Sequence, residues 1–179
     1  MRYMDWAIVT YRVAKEPSRH RVAIWREFRR AGAVRLQQGA WAFPVHPAAN
    51  AAIGRVLALV ERADGEALVF DAVPRDETVA AAIEAAFLEG REEEWHEFIR
   101  ECDKFDAEID HEIVTEKFTP AELDEEEQNL ERLQRWYREL RSRDVLGAPS
   151  AAEAELRLKS SAERLEAFAQ MVFDRRGGE

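Results

Sequence analysis

Residues 19–44 read RHRVAIWREFRRAGAVRLQQGAWAFP, and this stretch decides the fold. In its first half Val22, Trp25, Phe28 and Gly32 recur at helical spacing, which predicts a helix with those residues on one face. Gly32 then stops the helix, because a residue without a Cβ is favoured just past a last turn. The second half predicts a hairpin, 33–36 and 40–44, closed by Gln37-Gln38-Gly39. Arg19, Arg26 and Arg30 are spaced by seven and four residues, so they form one stripe along the helix, with Arg21 and Arg29 beside it.

Before this stretch, residues 6–13 (WAIVTYRV) are β-branched and aromatic without a helical period, which predicts a buried strand. Pro17 and Ser18 suit the start of the first helix, with Ser18 as a cap. After the hairpin, Pro47 opens a second helix that places Ile53, Val56, Leu57 and Val60 on one face and ends at Asp64-Gly65. Residues 67–73 (ALVFDAV) form the next strand, stopped by Pro74. Strand, helix, strand, strand, helix, strand, joined by right-handed crossovers, predicts an α+β fold with a ferredoxin-like βαββαβ sheet over 1–74.

The rest, 75–179, predicts a bundle of about three helices. Asp76 can cap a helix carrying Val79, Ile83 and Phe87, with a kink at Gly90. Trp95, Phe98, Cys102, Phe105 and Ile109 continue as a seam at spacings of three and four. Thr119-Pro120-Ala121-Glu122 is a capping box ahead of Leu123, Leu130, Leu133, Tyr137 and Leu140. Ser150-Ala151-Ala152-Glu153 repeats that pattern ahead of Leu158, Ala162, Leu165, Phe168 and Val172. Residues 175–179 read as a polar, frayed tail.

The composition excludes several classes of protein. No apolar run is long enough to span a bilayer, and the N-terminus lacks the pattern of a signal peptide. A single cysteine, Cys102, allows no internal disulfide, so the expected location is the cytoplasm. The net charge of -10 hides an asymmetry. Between Arg12 and Arg35 eight basic residues face Glu16 and Glu27, whereas between Glu101 and Glu127 twelve acids face Lys104 and Lys117. The basic segment can meet a phosphate backbone, and both segments also suit solvated helix faces.

The residues that carry the most specific pattern are 18–44 (SRHRVAIWREFRRAGAVRLQQGAWAFP) and 118–149 (FTPAELDEEEQNLERLQRWYRELRSRDVLGAP). Within the second, Arg135-Trp136 and the run Arg143-Asp144-Val145-Leu146-Gly147-Ala148-Pro149 are the most distinctive. In these stretches, and in the order of its elements, the chain resembles the amino-terminal domain of the chromate-resistance protein ChrB family. The resemblance implies a setting in chromate-responsive regulation of an efflux operon. It places the family's second domain beyond Glu179, so activities needing that domain, chromate sensing among them, do not carry over. The first half also resembles the ferredoxin-like module in regulators of phenylacetate catabolism.

Catalytic chemistry has little support. Two Glu-x-x-His patterns, Glu93…His96 and Glu108…His111, fall on one helix roughly 22 Å apart and cannot share a metal. No metal, cofactor or enzyme activity is therefore expected. Cys102 lies on the apolar seam as an inert thiol, and no glycine-rich phosphate loop is present. Trp41 and Phe43 share a strand face, as stacking aromatics do in RNA-binding sheets, although burial beneath the helical bundle or a second copy explains them better. Arg132, Arg135 and Arg138, with Arg141 and Arg143 nearby, suit an oxyanion such as chromate, or i,i+4 pairing such as Glu131–Arg135. The expected function is non-enzymatic regulation, with promoter DNA bound by Arg19, Arg26 and Arg30 and the chain acting as a homodimer. The alternatives are a module that docks a partner through its helical bundle and, ranked last, a metal-dependent enzyme.

Overall fold

The computed structural model describes residues 3–177, so residues 178 and 179 of the expected polar tail lie outside it. The described chain is mixed α/β, with a four-stranded antiparallel sheet and five helices. In chain order these are β1 (Trp6–Arg12), α1 (Ser18–Arg30), β2 (Val34–Gln37), β3 (Ala40–Pro44), α2 (Pro47–Arg62), β4 (Glu66–Ala72), α3 (Glu77–Val114), α4 (Pro120–Arg143) and α5 (Ala151–Gly177). The strand order is β2-β3-β1-β4. The chain divides into two compact units: residues up to Arg91 together with Ser142–Leu146, and Glu92–Arg141 together with Gly147 onward.

In the first unit the pleat sorts side chains between two faces. Ala7 is paired with Phe43 and Val9 with Trp41, so those four residues share a face. That face is covered by Ile24 and Phe28 of α1 and by Ala52, Ile53, Val56 and Val60 of α2. Phe28 stacks on Trp41 with ring centroids 4.7 Å apart and planes 5° from parallel. The two strand aromatics are thus buried under the unit's own helices, where neither the bundle nor a second copy is needed to cover them. The opposite face carries Trp6, Val34 and Ala42 against Phe87 and Ile83 of α3 and against Val145 and Leu146.

The α1 helix buries a different face from the one its sequence spacing suggests. Val22 and Trp25 are 41% and 46% exposed, whereas Ile24, Glu27 and Phe28 are buried. The apolar lines Val22/Trp25 and Ile24/Phe28 both fit a helical period, and the aromatics of β3 select the second. Glu27 tolerates burial because its carboxylate accepts from Arg30 Nη2 and from Arg55 Nε of α2, each at 2.6 Å. Gly32 ends the helix in the left-handed region, with φ of 75°.

Capping follows the sequence in part. Asp76 Oδ1 accepts from Val79 N at 3.0 Å, and Thr119 Oγ1 accepts from Glu122 N at 3.3 Å. Ser18 does not cap; it is the first helical residue, and its N–H donates to Glu16 Oε2 at 3.2 Å. Ser150 does hold the N-cap position of α5, its carbonyl accepting from Ala154 N at 3.0 Å, but its hydroxyl is turned away, 2.5 Å from Glu92 Oε2 and 3.0 Å from His96 Nε2. Helix α3 passes through Gly90 without interruption, and α5 extends to Gly177, into the stretch expected as a polar tail.

In the second unit most residues of the expected seams are buried, although Tyr137, Leu158 and Ala162 are only half-buried and Ala154 and Ser161 are the covered residues of the first part of α5. Trp95, Phe98, Cys102, Phe105 and Ile109 of α3 are buried with Leu123, Leu130, Leu133 and Leu140 of α4 and Leu165, Phe168 and Val172 of α5. Phe98 meets Trp136 and Tyr137 of α4, with centroids 5.3 and 5.8 Å away. Along the α3–α5 line, Arg157 reaches Asp103 at 2.7 Å and Arg164 pairs with Asp110.

Candidate nucleic-acid interface

Turning α1 so that Ile24 and Phe28 face the sheet leaves two ridges on its outer side. One is Arg19, Arg26 and Arg30, which are all exposed. The other is Val22, Trp25 and Arg29, in which the Arg29 guanidinium lies 5.8 Å from the Trp25 ring centroid. Ser18, Arg21, Val22 and Trp25 line a shallow, mainly apolar hollow beside them. Among the described residues neither Arg19 nor Arg26 has an acidic partner, whereas Arg30 is held by Glu27. The stripe is therefore two free guanidinium groups and one anchored one. Sequence spacing misassigned Trp25 to the core; its place between Arg21 and Arg29 was the signal that it lay on the basic side.

The end of α1 is fastened by arginines from distant positions. Arg91 Nη1 donates to the Gly32 carbonyl at 2.8 Å, and its guanidinium lies 5.0 Å from the Phe87 ring centroid. Arg143 Nη1 donates to the Arg30 carbonyl at 3.0 Å. These cations sit at the helix C-terminus, where unsatisfied carbonyls and the helix dipole favour positive charge. The distinctive run that starts at Arg143 thereby acquires a structural role. Arg143 holds α1, Asp144 is buried, and Val145 and Leu146 pack under the sheet.

The other candidates do not converge. Arg132, Arg135 and Arg138 are exposed on α4, and at intervals of three residues they fan around the helix surface. Arg135 lies 3.8 Å from Glu131, the i,i+4 pair expected from the sequence. His96 is engaged by Ser150 and lies 3.8 Å from Glu92. Among the described residues no group of three or more His, Cys, Asp or Glu is placed to hold a metal ion. Burial, reinforced by Asp106 and Asp103, pushes the Cys102 thiol up to about 12, so it stays protonated and non-nucleophilic at neutral pH. Sequence spacing missed a buried carboxyl cluster. Burial, the Glu122 carboxyl and the charge of Glu126 raise Glu112 to about 7, and burial raises Glu126 as well.

The fold and this surface define a small α/β sheet unit with a basic, outward-facing first helix, continued by a three-helix unit. A family model described as "Protein ChrB, N-terminal" matches residues 21–179, and the chain belongs to that family. The family points to a function related to chromate resistance. A search of curated proteins returns no match. No helix among the described residues is long and apolar enough to cross a membrane.

Proposed function

We propose that this chain is a non-enzymatic, cytoplasmic regulatory protein of the chromate-resistance type that binds promoter DNA through α1, acting as a homodimer. The observation that carries the proposal is the outer side of α1, where Arg19 and Arg26 have no acidic partner among the described residues although the chain as a whole is acidic. Such a cluster does nothing for the core, which Ile24 and Phe28 already serve. We also propose that the sheet unit is ferredoxin-like. The antiparallel order β2-β3-β1-β4, with α1 and α2 on one face, supports that description.

Phosphate contacts position a protein on DNA without reading its sequence, so the α1 arginines should contribute affinity without base preference. Gel shifts with promoter and scrambled duplexes test this. Arg19→Ala and Arg26→Ala should each weaken both complexes similarly. Loss confined to the promoter duplex would instead make these residues base readers. Arg30→Ala should weaken binding less, because Glu27, which it shares with Arg55, holds its guanidinium and partly offsets its charge. A second reading, docking of a protein partner, is favoured by Leu156 and Phe173 of α5, which are 68% and 62% exposed.

A further inference from the structure

The two edges of the sheet are built differently. The edge strand β2 spans four residues, carries Arg35 and Gln37, and shifts register between those two residues against β3. A short, charged, irregular strand resists further pairing. At the other edge β4 spans seven residues and pairs with β1 in unbroken register from Trp6↔Ala72 to Arg12↔Glu66. No strand lies beyond it among the described residues. It contains no proline and no bulge, so its outer N–H and C=O groups form a regular ladder without a partner strand. Its apolar side chains are also uncovered: Leu68 is 61% exposed, Phe70 50% and Val69 41%, with Val73 just beyond at 60%.

We infer that β4 is a homodimer interface, in which two copies join antiparallel, edge to edge about Val69, into one continuous sheet. The strand itself specifies the occupant. The sequence Glu66-Ala-Leu-Val-Phe-Asp-Ala72 is complementary to its own reverse. With Val69 opposite Val69, Leu68 faces Phe70 of the second copy on one side of the sheet, and Phe70 faces Leu68. Asp71 falls opposite Ala67, and Glu66 opposite Ala72, so no like charges meet. Glu66 keeps the Arg12 guanidinium that it holds at 2.8 Å within its own copy. Centring the pairing on Leu68 would place Phe70 opposite Glu66, which disfavours that register. A surface that matches itself about a twofold axis is what a closed, isologous dimer requires.

The twofold axis runs normal to the sheet, so α1 and α2 of both copies lie on the same face of the combined sheet. Both Arg19/Arg26 ridges would then be displayed to one side, suited to a two-fold-symmetric duplex. The interface itself does not depend on DNA binding, and its test uses none.

Sedimentation velocity over a concentration series, on the whole chain, should show a monomer–dimer equilibrium. Leu68→Lys with Phe70→Lys should weaken it by about tenfold or more while circular dichroism stays unchanged. Val69→Cys should form a covalent dimer on oxidation or with a short bis-maleimide, because directly opposed Cβ atoms lie about 5 Å apart. Leu36→Cys on β2 should not, and Cys102 is too buried and too weakly acidic to interfere. A chain that stays monomeric throughout overturns the proposal. So does a dimer that survives the double lysine variant with no Val69→Cys crosslink, since another surface or another occupant of β4 would then be responsible.

Discussion

Gly32 and Gly90 differ in what a side chain would meet. At Gly32 the backbone is left-handed, and a Cβ would collide with the Arg91 guanidinium that caps the helix. Gly32→Ala should therefore cost about 1–2 kcal/mol or more in urea unfolding. At Gly90 the chain is plain helix and a Cβ meets nothing within 4 Å. Gly90→Ala should be neutral or stabilise by up to about 1 kcal/mol, and a large loss would contradict an uninterrupted α3. Glu112 sets a pH dependence. Its folded carboxyl is raised from 4.5 to about 7, so the folded chain holds a proton that the unfolded chain releases. Its contribution is undiminished below the ordinary carboxylate range and is lost as pH rises from about 4.5 to about 7. Glu112→Gln should remove that loss, gaining of order 1 kcal/mol at pH 8 relative to pH 5. Parallel wild-type and variant stabilities across that range would contradict the burial argument.

At the scale of elements, the strands and helices were largely legible in the sequence because their signals are local. Gly39 marked the hairpin, Pro47 and Pro120 the starts of α2 and α4, and the Trp95–Ile109 seam the buried side of α3. What was not legible depends on partners far along the chain. The face that α1 buries is decided by Trp41 on β3, and Glu27 is buried because Arg55 reaches it from α2. Ser150 stands at the N-cap position read from the sequence, but that its hydroxyl goes to Glu92 and His96 was not legible. The arginine stripe was visible from spacing alone, whereas its unequal members were not, since Arg30 is tied to a residue that looked solvated. The exposure of Trp25 has its own consequence. Trp25→Ala should change stability by about 0.5 kcal/mol or less, where a buried tryptophan would cost several kcal/mol. Thermal unfolding of that variant decides which side of α1 faces the sheet.

For the molecule as a whole, each unit buries apolar side chains of its own, so folding is expected to need no metal. Chelator treatment should leave the melting temperature unchanged, and a drop of many degrees would reveal a structural metal. The central claim is that the outer side of α1 meets DNA. It is tested most directly by the slope of log affinity against log salt for promoter DNA, comparing the wild type with Arg19→Ala/Arg26→Ala/Arg30→Ala. Removing one arginine–phosphate interaction should flatten the slope by about 0.9, so the triple variant should flatten it by roughly two to three units. Its fold stability should move little, because exposed charges are typically worth under about 1 kcal/mol each. An unchanged affinity and an unchanged slope in a folded triple variant would contradict the claim.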